Sequence, residues 1–188
     1  MNVETARGTF ASASQATEHF DVLIVGAGIS GIGSAYHLQT KLPGTSFVIL
    51  ETQETFGGTW WTHKYPGIRS DSDLHTFGYS FKPWVGPPIA TAAEIRAYMG
   101  EVIDDNDIAR HIRYKRRILN ASWSSEENLW TIDAVRTDTG EALRFSANFF
   151  WMCQGYYRHA EGYTPEWKDM ARFKGPIVHP QKWPEDLD

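Results

Sequence analysis

A glycine-rich turn between two apolar stretches carries the most specific chemistry in the sequence. Residues 26–31 fit G-x-G-x-x-G and directly follow the apolar, β-branched run 20–25. Gly26 permits a tight turn out of a strand, Gly28 lets a pyrophosphate approach the backbone, and Gly31 lets a helix lie close to the sheet. The helix N-terminus would offer free N–H groups and the positive end of its dipole to the phosphates. The pattern therefore predicts a dinucleotide phosphate site.

An acid follows the second apolar run, residues 46–50. The Glu51 carboxylate can accept both hydroxyls of an adenosine ribose and would repel a 2′-phosphate, so we expect FAD or NAD rather than NADP here. The motif has the expected context, in the order strand, turn, helix, strand and acid. This order distinguishes a nucleotide-binding motif from a glycine-rich loop without a ligand. A hydrolase nucleophile elbow is excluded, because Ile32 stands where that motif needs glycine.

The composition narrows the class of protein. With 188 residues the chain can form one domain with a real core, and its net charge of -5 does not favour nucleic acid as a partner. No apolar run approaches the length of a transmembrane helix. Cys153 is the single cysteine, which predicts no internal disulfide, a buried inert thiol and a cytoplasmic protein. The histidines show no metal-ligand spacing, so no metal site is predicted.

The remaining elements are predicted from periodicity and turn residues. Residues 1–19 are expected to be a disordered tail. A capping box at Thr91 and Glu94 starts a helix that runs to about residue 104. Residues 112–119 are predicted to be one strand with a solvated basic face at 113–117. Runs at 121–124, 129–136 and 142–145 predict an antiparallel meander, and 148–153 predict a parallel strand that ends near Gly155.

A long loop, residues 54–88, is the second candidate site, because loops of this length in compact domains are usually functional. Its glycine doublet, Gly57 and Gly58, suits close approach of the backbone to a cofactor. The loop also contains a Tyr-Pro-Gly turn at 65–67 and acids at 71 and 73. For the loop alone, a second interpretation stays open, in which its aromatic residues only pack and its acids only form a solvated turn.

The C-terminal stretch supplies a third motif. Residues 173–184 read Phe-x-Gly-x-x-x-His-x-x-x-Trp-Pro, which resembles the fingerprint of Baeyer–Villiger monooxygenases, a branch of the class B flavoprotein monooxygenases. The loop from Gly57 to Asp71 resembles their second hallmark, and both follow an FAD-type glycine turn in the same order. The likeness is closest to the ethionamide-activating monooxygenases of mycobacteria and covers nearly all of residues 20–188.

The resemblance implies an α/β fold, a Rossmann-like FAD-binding domain over residues 20–171 with a parallel sheet and a small antiparallel β-meander. Residues 172–188 would be a linker in which His179 and Trp183 couple the FAD domain to an NADP domain. Asp71 would be catalytic, beside the isoalloxazine ring. The implied cofactor contacts are Gly26, Gly28, Ser30, Gly31, Glu51, Gly58, Thr59, Trp60, Arg69, Ser70, Asp71, Ile118 and Gly155.

The implied reaction uses FAD, NADPH and O2. NADPH would reduce the flavin, and a C4a-peroxyflavin would oxygenate a small ketone or a soft sulfur or nitrogen atom. Because the sequence holds no second G-x-G-x-x-G, the chain is expected to be the FAD-binding part of such an enzyme and inactive alone; homo-oligomerisation is left open. The alternatives are a non-enzymatic remnant that acts through protein contacts, and another two-nucleotide flavoenzyme such as an N-hydroxylating monooxygenase. A disulfide reductase lacks support without a cysteine pair.

Overall fold

One six-stranded sheet organises the part of the chain that the computed structural model describes, residues 17–159, 161–184 and 186–187. The sheet order is β3-β2-β1-β6-β5-β4, in which β1, β2 and β3 run parallel and β4, β5 and β6 form an antiparallel meander. The predicted class, a Rossmann-like α/β fold with a small meander, is confirmed. The strands are β1 (Glu18–Val25), β2 (Phe47–Leu50), β3 (Ile112–Arg113), β4 (Arg116–Ser124), β5 (Leu129–Arg136) and β6 (Ala142–Met152).

Two long helices cover one face of the sheet. Helix α1 (Ile29–Lys41) ends just before Pro43, and α4 (Ala92–Asp105) starts at the predicted capping box, in which the Thr91 hydroxyl and the Glu94 carboxylate satisfy each other's backbone N–H groups. The long loop holds two single-turn helices, α2 (Thr59–Thr62) and α3 (Leu74–Phe77). Within the described ranges, no helix has the length and apolar character needed to cross a bilayer.

Strand β2 and the second half of β1 are buried on both faces, as their continuous apolar sequence predicts. Ile24 and Ile49 pack in a core with α1 and α4, while Leu23 and Val48 pack in a second core with the meander. All four side chains are at most 1 % exposed. Burying a side chain of this size stabilises the fold by about 1.5–3 kcal/mol. The two long helices and the meander are therefore fixed to the same two strands.

The last strand departs from the sequence prediction. Runs 142–145 and 148–153, predicted as two strands, are one strand, β6. Its first half pairs antiparallel with β5, and it also pairs parallel with β1 from residue 145 to residue 152. Ser146 looks like a break in the sequence but is buried in the sheet, where its hydroxyl hydrogen-bonds the His19 ring at 2.9 Å. A satisfied polar side chain can occupy a central strand, so the prediction of two strands was wrong.

The predicted strand 112–119 is also wrong, because it is interrupted. The break falls at Lys115, whose φ of +57° is in the left-handed region. Strands β3 and β4 then lie at opposite ends of the sheet order. At the break the Lys115 N–H donates to Gln53 O and the Arg116 N–H donates to Glu51 O. The chain therefore wraps around the end of β2.

The start of β1 corrects two further predictions. Glu18 and His19, assigned to a disordered tail, are strand residues that pair with Phe145 and Ser146; residues 1–16 of that tail lie outside the described residues. Arg113, assigned to a solvated basic face, instead donates to both Glu18 carboxylate oxygens. This ion pair attaches the start of β1 to β3.

Replacing Gly31 with alanine should strongly destabilise the fold. An added Cβ would overlap the Gly26 carbonyl oxygen, which belongs to backbone and cannot swing away. We expect the free energy of unfolding to fall by about 2–3 kcal/mol, measured by urea denaturation. Gly28→Ala is the matched control, since its Cβ would have 3.7 Å to its nearest neighbour. Equal denaturation midpoints for the two variants would contradict this account of the helix–turn contact.

The ion pair of Glu18 should give a pH-dependent contribution to stability. Its hydrogen bond from Arg113 lowers the pKa of Glu18 below 4.5, so the stabilisation is full above about pH 4.5 and is lost as pH falls through the lowered pKa. The two side chains are 48 % and 35 % exposed, and solvent screening leaves about 0.5 kcal/mol. Wild type should exceed Glu18→Gln by this amount at pH 7, measured by urea denaturation, and the gap should shrink progressively as pH falls below about 4.5. Glu126→Gln, in an exposed turn, serves as control; a gap that does not depend on pH would refute the assignment.

Candidate functional site

The glycine turn presents unpaired backbone donors at the carboxyl end of β1. Gly26 has φ +94°, and its N–H donates to Leu50 O at 2.8 Å. Helix α1 follows from Gly28, and its first backbone bond runs from Ile32 N–H to Gly28 O at 3.1 Å. Among the described residues no acceptor takes the N–H groups of residues 29–31, Ser30 included. Free donors and the positive end of a helix dipole are features that favour an anion.

Glu51 lies beside this turn and is 8 % exposed. One carboxylate oxygen accepts the Ala27 N–H at 2.8 Å, and the other accepts the Gln53 N–H at 2.8 Å. The acid therefore joins the end of β2 to the glycine turn, a contact that sequence reasoning missed. Each oxygen keeps a second lone pair for a further donor. Burial, with the Glu51 charge as a smaller cause, raises the pKa of the nearby Tyr114.

The glycine doublet of the long loop meets the turn directly. The Gly57 N–H donates to Ala27 O at 3.0 Å, and a Cβ added to Gly58 would lie 3.2 Å from the Gly28 Cα. Gly57 and Gly58 have φ +131° and +54°, a region that favours glycine. The sequence predicts that a cofactor can approach the backbone closely at each of the two glycine motifs. The structure brings the two motifs together, which the sequence does not indicate.

Thr59 and Trp60 start α2 immediately after the doublet. Both are half-buried, and the Trp60 ring meets the Phe77 ring edge-on with centroids 6.2 Å apart. Their backbone is anchored to the doublet, since Trp60 N–H donates to Gly57 O at 3.1 Å. The two residues are therefore next to the turn, on the loop side of the site.

Arg69, Ser70 and Asp71 have different environments. Ser70 is 3 % exposed; its N–H donates to Ala90 O at 2.8 Å and its hydroxyl accepts the Ala90 N–H at 3.3 Å. Arg69 and Asp71 flank it on the surface, and Arg69 Nε donates to Gly67 O at 3.0 Å. The Ser70 hydroxyl therefore holds the loop in place, while Asp71 remains accessible.

An aromatic group stands near Asp71. The Tyr157 ring, on the segment after β6, meets the His63 ring edge-on at 5.7 Å between centroids. Its hydrogen bond with Tyr156 and, more weakly, the Asp71 charge raise the pKa of Tyr157. Sequence reasoning did not select Tyr157; the only available signal was an aromatic doublet that follows Gly155 at a strand end.

Gly155 lies just beyond β6, and Ile118 lies within β4. Gly155, with φ +73°, follows β6, and Cys153 O lies 3.0 Å from where a Gly26 Cβ would be. Ile118 lies in β4, next to a register shift between residues 118 and 120. Arg116, at the start of β4, donates its N–H to Glu51 O, and Ile118 follows two residues later along the strand.

The tail motif folds against the segment that follows β6. The His179 ring lies on Gly162, where an added Cβ would overlap it, and its Nδ1 accepts the Gln181 N–H at 3.2 Å. Gln181 Nε2 donates to Arg158 O at 3.2 Å. Trp183 Nε1 donates to Leu187 O at 3.0 Å, within the tail itself. Of the two predicted coupling residues, His179 thus lies against the segment that follows β6.

The fold is the Rossmann-like α/β fold that the sequence predicts, with the glycine turn at the carboxyl end of β1. The chain matches the NAD(P)-binding Rossmann-like domain family over residues 24–85. It is 53% identical over 173 residues to the FAD-containing monooxygenase EthA of Mycolicibacterium smegmatis, covering 92% of this chain and 35% of that protein. The chain thus spans about a third of the length of this known relative.

Solved structures agree with the sequence comparison. An oxidized steroid monooxygenase bound to NADP superposes with a TM-score of 0.71 at 32% identity, over 89% of this chain and 32% of that one. A closed cyclohexanone monooxygenase gives 0.72 at 28% identity, over 92% and 32%. The predicted resemblance is confirmed: the homologues are EthA-like FAD-containing monooxygenases, and the structural neighbours are Baeyer–Villiger monooxygenases.

The thiol of Cys153 should react slowly in the folded protein. It is half-buried at the end of β6, 3.6 Å from the Ser34 hydroxyl, and burial raises the pKa of the thiol above 9.0. We expect alkylation by iodoacetamide at pH 8 to be about tenfold slower than for free cysteine. The urea-unfolded protein is the control and should react at the ordinary rate. Native alkylation as fast as that of the unfolded chain would contradict the prediction.

Proposed function

We propose that this chain is the FAD-binding part of an NADPH- and O2-dependent flavoprotein monooxygenase that oxygenates a small ketone or a soft sulfur or nitrogen atom. The observation that carries the proposal is the meeting of Gly28 and Gly58 beside the free amides of α1. Two side-chain-free backbones there leave room for a pyrophosphate, and the helix N-terminus favours its charge. The names of the relatives supply the cofactor and the type of reaction.

The residues around the turn fit the parts of FAD. The amides at residues 29–31, with the Ser30 hydroxyl, would hold the pyrophosphate, and the open lone pairs of Glu51 would accept ribose hydroxyls. The backbone at Ile118 would face the adenine. When bound, the flavin would supply the redox and oxygen chemistry. The residues placed along it in this proposal are Gly26, Gly28, Gly31, Gly58, Thr59, Trp60 and Gly155.

Asp71 and Arg69 have the exposure that a second ligand requires. We place the Asp71 carboxylate near the flavin ring and Arg69 near the nicotinamide cofactor, with Ser70 holding both in position through Ala90. Tyr157 and His63 would shield this side of the site from water. In the same proposal, His179 and Trp183 link this domain to an NADP-binding region such as the NADP-bound relative contains.

One observation favours a second candidate, a chain that acts through protein contacts. The stretch from β6 to the tail exposes several large apolar rings, which is typical of a surface that another protein covers. Among them, Tyr156 is 89% exposed, Tyr163 85% and Trp167 65%. A compact monomer that keeps its flavin during size-exclusion chromatography would argue against this candidate.

The purified chain, incubated with FAD and desalted, should retain a flavin absorption spectrum. Gly28→Ala should weaken FAD binding by about tenfold or more, because its methyl group would meet the pyrophosphate where the protein itself leaves room. The affinity is measured by fluorescence titration, and thermal unfolding should be nearly unchanged. Ser122→Ala, on exposed β4, is the control. Unaltered affinity in Gly28→Ala would reject the assigned site, and wild type without flavin would reject FAD binding by this chain.

A further inference from the structure

The guanidinium of Arg96, on helix α4, lies close to the glycine doublet of the long loop. Arg96 of α4 has its guanidinium carbon 4.5 Å from the centroid of the Trp61 ring and 5.5 Å from that of the Phe56 ring. A Cβ added to Gly57 would lie 3.1 Å from Arg96 Nε. The guanidinium is therefore held against the backbone of the doublet, in contact with the aromatic side chains that flank it.

The polar contacts of Arg96 do not explain its position. Its Nε is buried, and no described residue accepts a hydrogen bond from it. None of the ion pairs among the described residues includes Arg96. The nearest acid on the helix, Glu94, is occupied in the capping box. Leaving a buried donor without an acceptor is unfavourable, and the contacts that favour this placement are those of the cation with the two rings.

A short series of backbone contacts joins Arg96 to the phosphate site. Gly57, whose side-chain position faces Arg96, donates its N–H to Ala27 O in the turn, and the Gly58 backbone lies close to that of Gly28. Glycine does not fix its own backbone conformation, so the doublet depends on its neighbours for its position. A displacement of Gly57 would therefore shift the glycine turn directly, because the contact between them is between backbone atoms.

We propose that Arg96 is a positioning residue for the dinucleotide site. Its cation, attracted to Phe56 and Trp61, fixes Gly57 and Gly58 against the glycine turn. The inference rests on the proposed FAD site and adds a requirement for positive charge at residue 96. A neutral side chain of similar length would fill the space but would not be attracted to the rings.

Three variants separate charge from packing in an FAD titration. Arg96→Met keeps the bulk and removes the charge, and we expect FAD affinity to fall about tenfold. Arg96→Lys keeps the charge and should bind within about threefold of wild type. Lys64→Met is the matched control: Lys64 Nζ lies 4.6 Å from the same Trp61 ring but is exposed, so affinity should change less than about twofold. Wild-type affinity in Arg96→Met, or equal losses in Arg96→Met and Arg96→Lys, would overturn the inference.

Hydrogen exchange in the flavin-free protein tests the same inference without FAD. The amide of Gly57, bonded to Ala27 O, should exchange faster in Arg96→Met and at the wild-type rate in Arg96→Lys. Far-UV circular dichroism checks that each variant is folded, and Arg96→Gln replaces Arg96→Met if the latter is not. Unchanged exchange in the neutral variant would overturn the inference. If wild type binds no FAD, the proposed function fails, and exchange alone decides the role of Arg96.

Discussion

The part of the structure around the glycine turn depends on the two hydrogen bonds that the buried Glu51 carboxylate accepts. Its two oxygens accept N–H groups from the glycine turn and from the chain that leaves β2. The backbone at the same residue takes part in the hydrogen bonds with β3 and β4. A buried acid in this position fixes the distance between the turn and the strand end. The residue expected to recognise a ribose is therefore also the residue that sets the shape of the turn.

Local patterns predicted much of the fold. The turn between β1 and α1, the capping box of α4 and the apolar runs of β1 and β2 all depend on residues close together in sequence. The predictions were wrong where contacts between residues distant in sequence determine the extent of a strand. Ser146 is tolerated inside β6 because His19 satisfies it, and Glu18 is ordered because Phe145 and Arg113 pair with it. Neither partner is near its residue in the sequence.

In the candidate site too, some features follow from residues close together in sequence and others from distant contacts. Glycine spacing identified both motifs, since a missing Cβ is a property of the residue itself. Their contact at Gly28 and Gly58, the bond from Ala27 to Glu51, and the placement of Arg96 and Tyr157 depend on how α4 and the end of β6 approach the loop. No periodicity encodes these approaches. Ser70 is another case, because its hydroxyl accepts the Ala90 N–H, a contact that the loop motif does not indicate.

Strand β6 has a consequence for how the chain folds. It pairs with β1 and with β5, and the contact between His19 and Ser146 joins residues 127 positions apart. Closing so long a loop is slow, because its entropy must be lost before the contacts form. During synthesis, β1 and β2 therefore leave the ribosome with one apolar face uncovered until β6 follows. In this interval the nascent chain is prone to aggregate and is a natural client for chaperones.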